Sequence, residues 1–105
     1  MMGLADDLAR AHDAHIRLSV LRLLDGLPAY QANDSVLTEA VNAMGLTCTR
    51  DQMRGHLVWM EEQRLVTTIA PAAGLTVATL TERGGDVANG RSVIAGVQRP
   101  SPKGG

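Results

Sequence analysis

The stretch TRDQMRGHLVWMEEQRLVTTIAPAAGLTVATLTERGGDVANG, Thr49–Gly90, reads without a break as helix, hairpin and helix. Thr49 and Gln52 make a Thr-x-x-Gln capping box. Met53, Leu57 and Met60 recur behind it at helical spacing, so a helix runs to about Gln63. Leu65 to Ile69 and Leu75 to Leu80 are rich in β-branched residues and bracket Pro71-Ala72-Ala73-Gly74, a turn signal that predicts a hairpin. Thr81 can cap a final short helix carrying Val87 and Ala88, which Gly90 closes. A helix followed directly by a hairpin and a short helix is the layout of a winged helix-turn-helix, mainly α with a small β-hairpin. That fold presents one helix to a partner, most often the major groove of DNA.

Working outward, a helix ahead of this stretch supplies the other half of the pair. Val36, Leu37, Ala40, Val41 and Met44 form its expected buried face, and Gly45 ends it. Asn33, Asp34 and Ser35 are equally good N-caps, and Tyr30-Gln31-Ala32 reads as a short extended piece before them. The first helix is expected from about Leu4 to Asp25, stopped by Gly26 and by Pro28 just beyond. Ile16, Val20, Leu23, Leu24 and Leu27 give it one apolar face. Leu4, Ala11, Ala14, Leu18 and Leu21 give it a second, a seam of the a/d type broken by Asp7. A helix apolar on two sides needs two partners: its own core, and either the chain's C-terminal segment or a second copy in an antiparallel homodimer. The pattern favours the homodimer, since symmetric dimers are the commonest assembly. From Arg91 the periodicity is lost, and Gly96–Gly105 holds two prolines, three glycines, Arg99 and Lys103 without an acid. The expected organisation is one winged-helix domain over residues 1–95 and a flexible basic tail over 96–105.

Composition narrows the function. The 105 residues are 45% hydrophobic, enough for one globular core. With Tyr30 and Trp59 as the sole aromatics, aliphatic side chains and Met must fill it. The formal charge of −1 hides a gradient, with three Arg against six acids in residues 1–49 and six Arg plus one Lys against five acids in 50–105. The C-terminal half therefore has room for an anionic partner, without the basic stripe of a strong nucleic-acid binder. Cys48 is alone, so neither a disulfide within the chain nor a Cys-based zinc cluster can form. Met1–Arg10 carries acids where a signal peptide needs a basic and then an apolar run. No apolar stretch approaches the ~20 residues that cross a membrane, so the expected compartment is the cytoplasm.

On the presented helix, Asp51, Gly55, Val58 and Glu62 lie opposite the core side. Base edges are read by Arg, Lys, Asn and Gln, which selects Arg50, Gln52 and Arg54 as candidate DNA contacts. The competing reading of Arg50 and Arg54 is solvated surface charge. The hairpin is a poor anchor for a phosphate backbone, because nothing from Leu65 to Thr81 is charged. Backbone charge is expected instead from Arg83, Arg91, Arg99 and Lys103. Trp59, on the helix flank, is expected to pack under the hairpin, or else to anchor a protein interface if exposed.

No catalytic or metal centre is expected, and no cofactor. His12 and His15 are spaced to share a metal, with Asp13 between them and His56 elsewhere, but no third ligand sits at a defined distance. Cys48 precedes a helix N-terminus, which can lower a thiol pKa, yet no base or oxyanion hole accompanies it. Gly84-Gly85 matches no phosphate-cradling motif, and the pairs Asp6-Asp7 and Glu61-Glu62 diverge on a helix.

Several segments together resemble the small winged-helix proteins of Mu-like phages and prophages, often labelled ArsR-like. They are Arg17-Leu18-Ser19-Val20-Leu21-Arg22-Leu23-Leu24, Tyr30-Gln31-Ala32-Asn33, Thr49-Arg50-Asp51-Gln52 through Trp59-Met60-Glu61-Glu62-Gln63, Thr79-Leu80-Thr81-Glu82-Arg83-Gly84, and Gly96-Val97-Gln98-Arg99-Pro100-Ser101-Pro102-Lys103. The resemblance reaches over about residues 16–103, and the last segment is its most distinctive piece. It implies a winged helix of phage or prophage origin and, through the ArsR-like label, DNA binding; it brings no active site. Metal-sensing ArsR proteins carry a Cys-x-Cys element before the recognition helix, which this chain lacks, so metal-responsive repression does not follow. The resulting expectation is a small phage-type winged-helix protein that binds double-stranded DNA as a homodimeric transcriptional regulator. Its rival is a winged-helix adaptor that binds a host or phage protein, not DNA, through Val58, Trp59 and the uncharged hairpin.

Overall fold

The computed structural model describes residues 3–102. Four helices and a small antiparallel sheet follow one another as α1 (Leu4–Asp25), β1 (Gln31–Asn33), α2 (Asp34–Ala43), α3 (Arg50–Glu62), β2 (Val66–Ala72), β3 (Leu75–Leu80) and α4 (Glu82–Ala88). The sheet order is β1-β3-β2. Ala32 faces Ala78, and Ala78 faces Thr68, across the two ladders. The arrangement is mainly helical and compatible with a winged helix.

Local chemistry sets the boundaries. Asn33 is the cap of α2, its side chain accepting the Val36 N–H at 2.9 Å. Asp34, the neighbouring cap candidate, is thereby free for another task. Thr49 and Gln52 form the reciprocal capping box of α3. Gly74 takes φ +75° at the hairpin turn, a conformation glycine adopts without a side-chain clash. Thr81 caps α4 by accepting the Gly84 N–H at 3.0 Å, while its hydroxyl lies 2.7 Å from Arg64 O and 3.0 Å from Leu65 O. This ties the start of α4 to the start of the hairpin.

The core is aliphatic. Ile16, Val20, Leu21 and Leu24 of α1 meet Leu37 and Val41 of α2, Met53, Leu57 and Met60 of α3, and Leu65, Val66, Ala78 and Val87 from the hairpin and α4. Each such side chain fully removed from water contributes about 1.5–3 kcal/mol. On α2 the expected face is too wide, because Val36 and Met44 are exposed.

The second face of α1 requires a correction. Leu18 and Leu21 are buried in the chain's own core, and the Ala14 carbonyl accepts the Gln98 N–H at 3.1 Å. The C-terminal segment meets Ala14 and the core takes up Leu18 and Leu21, so these three are not a seam for a second copy. Leu4 and Ala11 remain exposed, as does Leu8. The boundary at Gly96 changes for the same reason. Val97 is buried and Pro100 lies against Gly90, so the described part of the expected tail is docked on the domain.

Candidate functional site

The outward side of α3 and the adjoining hairpin tip form the surface that the fold leaves open. Met53, Leu57 and Met60 are buried, whereas Asp51, Gly55, Val58 and Glu62 are exposed, as the helical spacing predicts. Beside them the hairpin tip, Ala70 to Thr76, and Arg54 line a groove of ≈ 520 Å³. Further along α3, Glu61 accepts the Thr68 N–H at 2.8 Å and the Thr68 hydroxyl at 2.7 Å. That carboxylate covers a backbone donor on the edge strand β2.

At the start of α3 the chemistry differs from what the sequence suggests. Arg50 and Arg54 are one turn apart and converge on Asp34, whose side chain is completely buried. Arg50 Nη2 lies 3.1 Å from Asp34 Oδ1, and Arg54 Nε lies 2.6 Å from Asp34 Oδ2. Both guanidinium groups also donate to the Gly74 carbonyl at the hairpin tip, Arg50 at 2.8 Å. Arg54 in addition pairs with Asp51 at 3.6 Å. One carboxylate thus ties α2, α3 and the hairpin together. Burial alone would raise its pKa, but hydrogen bonds from Arg50, Arg54 and the Thr76 backbone prevail and hold it at about 2. Asp34 and Asp51 together balance the charge of Arg50 and Arg54.

The other candidate contacts are dispersed. The side-chain oxygen of Gln52 accepts the Thr49 N–H at 2.9 Å and is committed to the cap. Arg83 donates to Gln63 O at 3.0 Å, at the far end of α3, roughly 20 Å from Arg50 for a helix of this length. Arg91 pairs with Asp86 at 2.9 Å. Arg99 is exposed, and Lys103 lies outside the described residues. Trp59 does not sit under the hairpin. The Arg17 guanidinium covers its ring at 4.0 Å, and Gly96 presses on it from the C-terminal segment.

The histidines of α1 hold structural partners or none that bind metal. His12 Nε2 lies 2.8 Å from Thr47 O, and among the described residues no group of three or more His, Cys, Asp or Glu gathers to hold a metal ion. Cys48 is buried, and burial, followed by the Asp13 charge, pushes its thiol pKa up, the reverse of activation at a helix N-terminus. No described helix is long and apolar enough to cross a membrane.

Asp34 is the residue that the sequence does not reveal. It reads there as one of three N-caps, and the only hint is a pair of arginines at i, i+4 that could share one acid.

Comparison with known proteins gives two uncharacterized relatives, one from a phage and one from a bacterium. Over 73 residues the chain is 47% identical to the uncharacterized protein gp26 of Escherichia phage Mu, covering 70% of this chain and 75% of gp26. Over 67 residues it is 40% identical to an uncharacterized protein of Haemophilus influenzae, covering 64% of this chain and 65% of that protein. No protein-family model matches the chain. No solved structure matches it.

Proposed function

The chain belongs to the family of gp26 of phage Mu, and on that premise we propose that it is a phage winged-helix adaptor whose α3 and hairpin tip dock a protein. The winged-helix assignment rests on the element order, with α2 and α3 as the helix pair and β2–β3 as the wing. The reading is non-enzymatic and places the protein in the host cytoplasm. One observation carries it: the two arginines best placed for a groove share a buried aspartate, with Asp51 balancing the second charge, and are spent on holding the wing. What remains outward is Val58, 58% exposed, an open Gly55 and an uncharged hairpin tip, flanked by Asp51 and Glu62. Such a surface suits a partner that offers apolar side chains within a basic rim.

A photo-crosslinking side chain at position 58 tests this in phage-producing cells. A defined protein adduct is expected, and Gly55→Glu should abolish it. A Cβ at Gly55 meets nothing within 4 Å, so the new side chain starts in open space, and an unchanged circular dichroism spectrum of the variant is expected alongside the lost adduct. Crosslinking to nucleic acid alone would contradict the reading.

Double-stranded DNA is the second reading. It is favoured by the gathering of Arg50 and Arg54 at the N-terminus of α3 with 43% and 34% of their side chains still exposed. Arg83, Arg91, Arg99 and Lys103 would supply backbone contacts on that reading.

Self-association belongs to the same proposal, moved to the first turns of α1. Leu4 and Leu8 are 74% and 60% exposed at i, i+4 spacing, next to exposed Ala11. Sedimentation should show a dimer that Leu8→Glu converts to monomer; a wild-type monomer at micromolar concentration would remove the interface.

A further inference from the structure

We propose that Gly96–Pro100 is a strap locked over Trp59 by the Arg17 guanidinium, and that a proton taken up by His56 releases it. Arg17 reaches out from α1 and makes three contacts at once. Its Nε–H donates to His56 Nδ1 at 3.2 Å, its Nη1–H donates to the Gly96 carbonyl at 3.0 Å, and its carbon lies 4.0 Å above the Trp59 ring centroid. Gly96 has φ +96°, and a Cβ there would stand 2.7 Å from Trp59 Cζ2, so only glycine lets the strap come this close. Val97 is buried beyond it, and the Gln98 N–H closes the contact on the Ala14 carbonyl.

The bond from Arg17 fixes the state of the imidazole. Nδ1 must carry a lone pair to accept it, so the ring proton sits on Nε2, which faces Asp13 Oδ1 at 3.5 Å. A second proton has one place to go. Bound at Nδ1, it consumes the lone pair, breaks the hydrogen bond from Arg17 and sets an imidazolium against a guanidinium. The charged and titratable groups bearing on the ring are Arg17, Asp13 and His12, all from α1. Burial, Arg17 and His12 oppose the charged form, and Asp13 alone favours it, which leaves the pKa of His56 below its ordinary 6.5. The sign follows. A base held neutral in the docked state supports docking while the imidazole is uncharged, and that support is lost as pH falls below the ordinary 6.5 and the ring takes up its second proton. The Cys48 thiol, which also feels Asp13, is pushed up and stays protonated throughout this window. Release uncovers Trp59 and the strip of α1 around Ala14.

Trp59 is the chain's only tryptophan, so its fluorescence reports directly on the strap. In the full chain, lowering the pH from about 7.5 to about 5 should shift its emission to longer wavelength and raise acrylamide quenching, with far-UV circular dichroism unchanged. His56→Asn keeps an acceptor near the Nδ1 position without a titrating ring, so Trp59 should stay covered across the range. Gly96→Ala should give the uncovered signal at every pH. A wild-type signal that stays flat overturns the proposal, and so does a His56→Asn curve that follows the wild type. Should His56→Asn fail to fold, Arg17→Gln serves in its place: it should show an uncovered, pH-independent Trp59, and a surviving pH response would overturn the proposal.

Discussion

Asp34→Asn is expected to lower the unfolding free energy by about 3 kcal/mol, read as a roughly 10–20 °C drop in Tm. The carboxylate is wholly buried and is the common acceptor for Arg50 and Arg54, so a neutral amide removes the counter-charge they share and leaves Arg54 only the exposed Asp51 at 3.6 Å. The figure sits at the low end for breaking a buried pair because water still reaches both arginines. The same site predicts acid sensitivity. A carboxyl held at about 2 instead of its ordinary 3.8 contributes stability that is complete above 3.8 and lost as pH falls through about 2. Denaturant titrations at decreasing pH should show that loss in the wild type and not in Asp34→Asn. An Asn variant as stable as the wild type would mean that the pairs with Arg50 and Arg54 do not hold α2, α3 and the hairpin together.

Gly84→Ala is expected to be comparably damaging, at about 3 kcal/mol, for an unrelated reason. A Cβ on Gly84 would stand 2.1 Å from the Leu65 carbonyl oxygen and 2.7 Å from Leu80 Cδ1. The first contact is with backbone that Thr81 already fixes, by donating its own N–H to the same carbonyl at 3.1 Å. The clash can therefore be relieved only by lifting α4 away from the hairpin. Gly85→Ala is the matched control, since its Cβ would meet nothing closer than 3.8 Å. Equal thermal stability of the two variants would rule out the close approach of α4 to Leu65.

The elements themselves are legible in the sequence because local chemistry announces them. Gly26 and Pro28 stop α1 at Asp25, the Thr49–Gln52 box starts α3, Gly74 turns the hairpin, and Thr81 begins α4. The site is less legible because it depends on pairing across distance. Nothing near Asp34 says that Arg50 and Arg54, sixteen and twenty residues on, will fold back to it. Both arginines carry the composition of a DNA-reading helix, and only the tertiary arrangement shows where their charge goes. The C-terminal segment fails differently. Its Gly and Pro content has no period and reads as loose chain, yet one buried Val97 and the Gln98–Ala14 hydrogen bond fasten it to α1. The second apolar stripe of α1 was legible as a surface needing cover; what covers Leu18 and Leu21 comes from the same chain, which spacing along α1 cannot reveal.

The central claim is that Asp34, together with Asp51, offsets the positive charge of Arg50 and Arg54 at the α3 N-terminus and leaves a face for protein. Anisotropy of a labelled mixed-sequence duplex, titrated at low salt with wild type and with Asp34→Asn, tests it most directly. The account predicts no salt-sensitive binding by the wild type at micromolar concentration, and a gain of binding in Asp34→Asn as the two guanidinium groups become available to phosphate. Wild-type binding that weakens steeply with salt and disappears in the Arg50→Ala, Arg54→Ala double variant would contradict it.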